Sequence, residues 1–534
     1  KGEAHAELDA IRIDLQKLVL AQQLTPSGKA RKPYTPKFID AATVPQDILD
    51  GIRDKTIEID SVAYRWLNPR TRIIYNARDT AATIKLWQDK EPELTDGQRA
   101  VMEEVVMPAT HALVQMEQWG LPVSLDMLGI LEMHVEMALM PVQCRLSQYD
   151  KPDAPFNPGS RPQVLALFEQ LNLVPKGKTK TGGVSVDDKA LEPLKSKHIV
   201  VGDILEHRRL TKLRGTYIEG VRNAVCPDGR IHATCLLDGA GTGRTSYQNP
   251  NLQNWPRASD DTDRPEGLML RSCVVAPPGW TLVEIDQSQI EIRVAAALSQ
   301  DPEMLQIIRD GRDFHGATAE LVYGSGFTDE QRTASKITNF SLIYEIPENI
   351  GYLLSKSLSA KLKRDVSRDE AQEIADKIFG RYKRLKEWMR EQHQAGLKSG
   401  GAYTIWRGKP ARFRPLPDLG LADDPRNPHI KQAKETAIRS TWNGPIQGTS
   451  SDLTIAALHP TVQWITQNKI PAELMVTIHD SLLGMVRNDY LDQYISVVKA
   501  AMTQHQGWLG VPLVADAKIG KHWGSMKKYI PGGA

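Results

Sequence analysis

The stretch Arg332-Thr-Ala-Ser-Lys-Ile-Thr-Asn-Phe-Ser-Leu-Ile-Tyr344 decides how the rest of the chain is read. Arg332, Lys336, Phe340 and Tyr344 recur every fourth residue, so on a helix they share one broad face. Two cations at the start of that face suit phosphate oxygens, and two aromatics further along suit stacking on a base or sugar. The same spacing also describes a core face capped by solvated cations, and the neighbouring segments choose between the two. Upstream, Thr281-Leu-Val-Glu-Ile285 is β-prone and follows Gly279, which puts Asp286 at a strand end. A helical run, Ile290 to Leu298, follows and carries Glu291 one turn beyond the carboxylate. Downstream, Leu474–Ile478 and Leu482–Val486 read as paired strands, with His479-Asp480-Ser481 in a tight turn.

Composition sets wider bounds. With 534 residues the chain is too long for one ordinary domain. Its 67 Lys+Arg against 65 Asp+Glu leave a formal charge of +2, so any basic footprint for nucleic acid must be local. Cys144, Cys226, Cys235 and Cys273 are scattered without metal-ligand spacing, which reads as free thiols in a reducing compartment. No apolar run approaches the ~20 residues that span a bilayer. The first residue is Lys and no signal-peptide pattern follows. The expectation is a soluble cytoplasmic protein, monomeric, with no membrane partner, and a fragment of something longer.

In chain order, Glu7 to Gln23 has helical periodicity, and Thr25–Pro36 reads as an exposed basic loop. Tyr75-Asn-Ala-Arg-Asp79 puts a hydroxyl and a carboxylate one turn apart on a helix. Gly120 closes a helical run ending in Gln-Trp, being the residue that accepts left-handed geometry at least cost. Ser160 is a candidate N-cap. Lys176–Gly183 is a cationic loop that contains Gly-Lys-Thr but lacks the earlier glycine of a P-loop, so an ATPase is rejected. Glu206–Tyr217, with Lys212, is a basic helix. Gly241-Thr-Gly-Arg244-Thr-Ser-Tyr-Gln-Asn-Pro-Asn251-Leu-Gln253-Asn254 gathers amides and one Arg on a turn-rich scaffold. Such a run suits hydrogen bonding to groove edges and sugar-phosphate; a polar loop satisfying its own backbone is the alternative.

The segments around Asp286, Arg332–Tyr344 and His479–Ser481, in this order, together with Arg244–Asn254, resemble motifs of family A DNA polymerases. The resemblance covers roughly residues 95 to 534. It implies an α+β right-hand fold: 96–235 as the start of the polymerase region and thumb, 236–300 as the first part of the palm, 301–435 as fingers and 436–534 as the second part of the palm. Residues 1–95 resemble the C-terminal part of a 3′–5′ exonuclease domain, with Tyr75 and Asp79 matching its third motif and no convincing counterparts of its other carboxylates. Exonuclease activity is therefore not expected.

What the resemblance implies for function is template-directed DNA synthesis from dNTPs on primer-template DNA, with pyrophosphate release. Asp286 and Asp480 are then the catalytic pair, holding two Mg²⁺ ions, with Mn²⁺ able to substitute; such ions take a few carboxylates plus substrate phosphates. Arg332 and Lys336 bind the triphosphate with help from His315, and Lys336 protonates the leaving group. Phe340 packs on the incoming nucleotide, Tyr344 stands near the templating base, Gln289 joins the nucleotide site, and Glu291 blocks a 2′-hydroxyl. DNA contacts fall to Arg244, Asn251, Gln253, Asn254, Lys212, Arg439, Asn443, Gln447 and His479. No accessory replication protein is identified.

Four positions depart from the family pattern. Ser481 stands where Glu is usual, Ser341 and Glu345 stand where glycines are usual, and Gln287 replaces a common aromatic. Ser481 raises an RNA polymerase as a rival reading, against which Glu291 and Phe340 argue. A catalytically weak DNA-binding protein is the rival from another class, against which Asp286, Asp480, Arg332 and Lys336 argue.

Overall fold

The structure, a computed structural model, describes residues 3–22, 32, 34–54, 57, 59, 63–66, 68–152, 154–175, 177, 179, 182–256, 266–347, 350–362, 364–422 and 428–532. Much of the basic loop Thr25–Pro36 and part of the cationic run Lys176–Gly183 lie outside the described residues. The chain divides into two units, Lys1–Leu94 and Thr95–Ala534.

In the first unit, helix α1 (Glu3–Ala21) buries Leu8, Ile11, Leu15 and Val19 at helical spacing. Ile39, Val44 and the apolar residues Ile48 and Leu49 of α2 (Gln46–Arg53) complete that core. Asp14 is buried on the same helix and satisfied: it accepts from the Tyr34 hydroxyl at 2.6 Å and from the Lys37 and Phe38 amides at 2.9 and 2.7 Å. Helix α3 (Pro69–Lys90) starts where Asn68 accepts the Arg70 amide at 2.9 Å, with Pro69 in the first turn. None of its described residues is buried.

The second unit opens with helix Asp96–Val101 and π-helical turns over Met102–Val106, which lead into helix Met107–Trp119; that helix ends at Gly120 with φ +69°, as the sequence predicts. Helix α4 (Leu125–Leu146) buries Leu128, Leu131, Val135, Leu139, Val142 and Leu146 in one stripe and packs against α5 (Ile199–Lys212). Arg145 joins the two through Asp203 at 2.7 Å. The basic helix predicted over Glu206–Tyr217 runs through the last turns of α5 into π-helical turns over Leu213–Glu219. Ser160 stands at the predicted N-cap of helix Arg161–Gln170, but its side chain makes no capping bond.

The central element is a five-stranded antiparallel sheet. Its strands are β1 (Trp280–Gln287), β2 (Ala472–Ile478), β3 (Ser481–Arg487), β4 (Ala515–Gly520) and β5 (Lys527–Lys528). Their order is β5-β4-β1-β3-β2, with β1 in the middle. That register sets Asp286 opposite Ser481 on one side and opposite Asp516 on the other. Gly484 of β3 lies where any side chain would meet the Tyr494 hydroxyl and the Glu473 carbonyl.

Four helices gather near the end of the sheet that carries Asp286: α6 (Ile290–Ser299), α7 (Phe314–Tyr323), α8 (Asp329–Tyr344) and α9 (Pro428–Ile455). Helix α8 begins in a capping box, Thr328 accepting the Gln331 amide at 3.2 Å while Gln331 accepts the Thr328 amide at 2.8 Å. Its buried residues are Ala334, Ser335, Thr338, Asn339, Leu342 and Ile343. Burial of Leu342 and Ile343 contributes roughly 1.5–3 kcal/mol each and sets which face of α8 stays free. Among the described residues, no helix is long and apolar enough to cross a membrane.

Candidate active site

Because Ala334, Thr338 and Leu342 face the core, Arg332, Lys336 and Phe340 are left to face the sheet. They line a cleft of about 600 Å³ together with Asp286, Glu291, His315, His479, Asp480 and Arg244. Ser288, Gln289, Ile290 and Asp516 complete its walls. The cations of α8 thus lie across one open space from the carboxylates of β1 and of the β2–β3 turn. Asp286 and Asp480 are brought beside each other by the strand register, and the Gln287 amide donates to the Asp480 carbonyl at 3.0 Å. His479 has φ +56° in that turn.

Arg332 is engaged: its Nε donates to Asp313 Oδ2 at 2.6 Å. Asp313 also caps α7 by accepting the Gly316 amide at 2.9 Å. Burial pushes the Asp313 carboxyl up, but the Arg332 guanidinium and the Gly316 amide outweigh it, and the group titrates below the usual carboxylate range. His315, 3 % exposed, is pushed down to about 4, first by burial and then by Lys336 and Arg332, against the opposing pull of Asp313. The Asn339 amide lies 3.0 Å from His315 Nδ1, and Thr318 donates to Asn339 Oδ1 at 3.0 Å. The Asn339 amide and His315 Nδ1 thus share one hydrogen bond in a buried chain that runs on to Thr318. The His315 ring lies 5.9 Å from that of Phe340.

Glu291 is buried, with its two oxygens taken by Arg244 Nη2 and the Tyr344 hydroxyl. Burial, then the Glu291 charge, pushes the Tyr344 phenol well up, so it stays a donor; Gln447 bonds the same phenol. Asn443 donates to the Tyr344 carbonyl at 3.2 Å. Three of the expected DNA-contacting positions on α9, Arg439, Asn443 and Gln447, therefore meet the end of α8 rather than lining the cleft.

Other expected positions stand apart from the cleft. Asn251 accepts the Gln253 amide at 3.1 Å and Gln253 donates to Thr245 at 3.0 Å, so this run satisfies its own loop. The Asn254 carbonyl accepts from Tyr217 at 2.9 Å. Lys212 is exposed on α5. Tyr75 and Asp79 are one turn apart on α3 in the other unit.

The departures each have a local partner. Gln287 is buried, donating to the Met502 carbonyl and accepting from Thr454, both at 2.7 Å. Ser481 is buried and donates to the Ile478 carbonyl at 3.0 Å, closing its own turn. Ser341 donates to the Ile337 carbonyl at 2.9 Å, one turn back. Glu345 accepts from Arg439 at 2.7 Å. Two carboxylates at the site were missed from sequence. Asp516, whose carboxylate accepts from Ser288, lies in Val514-Ala-Asp-Ala-Lys-Ile519 and carries only the alternation of a strand as its signal. Asp313 caps α7 and also pairs with Arg332, 19 residues away in sequence.

Two part-exposed carboxylates, one at the end of β1 and one in the β2–β3 turn, sharing a cleft with two cations, are oxygen donors of the kind Mg²⁺ accepts. No group of three or more His, Cys, Asp or Glu poised to enclose a metal occurs among the described residues. A partly open site that leaves room for substrate oxygens is consistent with both facts.

Comparison with known proteins identifies the lineage. The family description "DNA polymerase family A" matches residues 130–525. A thermostable DNA polymerase I of Thermus thermophilus is 32% identical over 457 residues, covering 83% of this chain and 51% of that one. DNA polymerase I of Pseudomonas aeruginosa is 30% identical, covering 91% of this chain and 51% of its own length. The chain spans about half the length of these curated relatives. Among solved structures, "POL domain of Pol1 from M. smegmatis complex with DNA primer-template and dNTP" aligns at TM-score 0.72 and 26% identity, covering 96% of this chain and 81% of that one. The α+β polymerase fold, the central antiparallel sheet and the family match over most of the chain agree: this chain belongs to DNA polymerase family A.

Proposed function

We propose that the protein is a template-directed DNA polymerase that adds dNTPs to a primer 3′ end and releases pyrophosphate. The observation that carries this is the pairing of Asp286 and Asp480 on one wall of a cleft with Arg332 and Lys336 on the other. Asp286 and Asp480 would hold the divalent ions. Mg²⁺ bound there supplies charge neutralisation on phosphate oxygens and a more acidic 3′-hydroxyl. Lys336 and Arg332 bind the triphosphate, for which Arg332 exchanges the Asp313 carboxylate for a phosphate oxygen. His315, held neutral, adds a ring N–H to the same anion without adding a charge. Lys336 hands a proton to the pyrophosphate as it leaves. Phe340 packs on the sugar and base, and Glu291, held by Arg244 and Tyr344, closes the space a 2′-hydroxyl needs.

In this reading residues 96–235 include the thumb, 236–300 and 436–534 the palm and 301–435 the fingers, while 1–95 descend from an exonuclease domain. Primer-template DNA and dNTPs are the partners, the form is monomeric and the setting is the cytoplasm. The test is primer extension on a DNA template with Mg²⁺, dNTPs and rNTPs run in parallel. Extension with dNTPs and little with rNTPs is the expected result. Comparable use of rNTPs would favour the RNA-polymerase reading, and no extension with either would favour a DNA-binding protein.

A further inference from the structure

Three consecutive residues at the C-terminal end of α8 are gripped by one face of α9. The Ile343 carbonyl accepts from Trp442 Nε1 at 3.0 Å, and the Tyr344 carbonyl accepts from Asn443 at 3.2 Å. The Glu345 carboxylate accepts from Arg439 Nη1 at 2.7 Å. A helix end leaves its last carbonyls without intrahelical partners, and the first two of these contacts answer that need. The third does not. Glu345 is past the helix, and its ion pair exists only because a carboxylate stands where the family pattern has a glycine.

We propose that Glu345 is a positioning residue for nucleotide selection: its ion pair with Arg439 fixes the end of α8 on α9 and thereby fixes Tyr344 against Glu291. This rests on the polymerase reading above. Both side chains are about one-quarter exposed, at 25% and 23%, so the pair is shielded from solvent more than a surface bridge is. Arg439 is itself steadied by donating to Thr436 at 3.1 Å. Tyr344 is the residue immediately before Glu345, and its hydroxyl supplies one of the two bonds that hold the Glu291 carboxylate. Loosening Glu345 therefore transmits to Glu291 through a single peptide unit and one phenol. Glu345 never reaches the cleft and touches no reacting atom.

The test compares the wild type with Glu345→Ala, Glu345→Gly and the charge-swapped Glu345→Arg/Arg439→Glu pair. Two readouts are used: hydrogen exchange of the Leu342–Glu345 amides, which needs no catalysis, and the ratio of kcat/KM for a dNTP to that for the matching rNTP. Expected are exchange at least several-fold faster in both single variants and a dNTP preference lowered about five- to tenfold, with kcat for dNTP within about threefold of wild type. The swapped pair is expected to recover slow exchange and at least half of the preference. Unchanged exchange would overturn the anchoring role, and faster exchange with unchanged selectivity would overturn the link to Glu291. Recovery of neither property by the swap would overturn the ion pair as the cause. A wild type that extends no primer yet shows the exchange difference would count against the polymerase reading and the selection role together, leaving the anchor alone.

Discussion

Asp516 and Asp286 are direct cross-strand partners in the register of β4 and β1. Like charges placed opposite each other in a sheet repel, yet both line the cleft, and Asp516 is held there by accepting from Ser288. Lys528, 3.8 Å away, offsets part of its charge. A negative charge near Asp286 that is not in the β2–β3 turn would strengthen the field on a divalent cation held at the proposed pair. Asp516→Asn is expected to raise the Mg²⁺ concentration for half-maximal primer extension about fivefold, corresponding to about 1 kcal/mol. Asp480→Ala, by contrast, is expected to abolish extension at any Mg²⁺ concentration. An Asp480→Ala enzyme of full activity would end the carboxylate-pair assignment.

Glu291, the proposed gate against a 2′-hydroxyl, is also a buried acceptor. Glu291→Ala removes the partner of Arg244 and of the Tyr344 phenol at once. Leaving such groups unpaired costs about 1–3 kcal/mol. The variant is expected to incorporate rNTPs at least tenfold better than the parent and to melt several degrees lower. Glu291→Gln keeps an acceptor and the volume, so it is expected to melt close to the parent. Gel-resolved single-nucleotide incorporation and thermal unfolding measure the two effects.

His315 makes stability pH-dependent. Its folded value, about 4, lies below the usual 6.5, so the neutral form is the one the fold accepts. The stability is therefore complete above pH 6.5 and is lost progressively as pH falls from there toward 4. The loss attributable to this group is on the order of 3 kcal/mol. His315→Gln is expected to flatten that part of the curve; denaturant midpoints at pH 7, 5.5 and 4.5 report it. An equal slope in both proteins would assign the neutral imidazole to another environment.

Gly484 tests the sheet itself. A methyl group at this position meets the Tyr494 hydroxyl and the Glu473 carbonyl at under 3 Å. Overpacking of this kind costs about 1–3 kcal/mol. Gly484→Ala is expected to be destabilised by that amount in chemical denaturation, and Gly484→Ala/Tyr494→Phe to recover part of it.

The order of elements around the cleft was legible in the residues. The β-alternation before Asp286, the turn at His479–Asp480, the fourfold spacing from Arg332 to Tyr344 and the left-handed Gly120 are all local, and local periodicity is set by backbone geometry. The family pattern likewise pointed to Glu291 and His315. What one dimension could not hold is which residue answers which. Asn251 and Gln253 suit either groove edges or their own loop, and in the fold Asn251 accepts the Gln253 amide while Gln253 donates to Thr245, because an amide binds whatever the chain brings nearest. Asp516 has no motif around it and enters the cleft only through the register of β4 on β1. Arg332 meets Asp313, Tyr344 meets Glu291 and Glu345 meets Arg439 across separations of 19, 53 and 94 residues. Composition and periodicity determined helices, strands and the chemistry available. Only the packing of α8 against α7, α6 and α9 decided the pairs, because ion pairs and hydrogen bonds act over a few ångströms and that proximity exists only after the chain has folded.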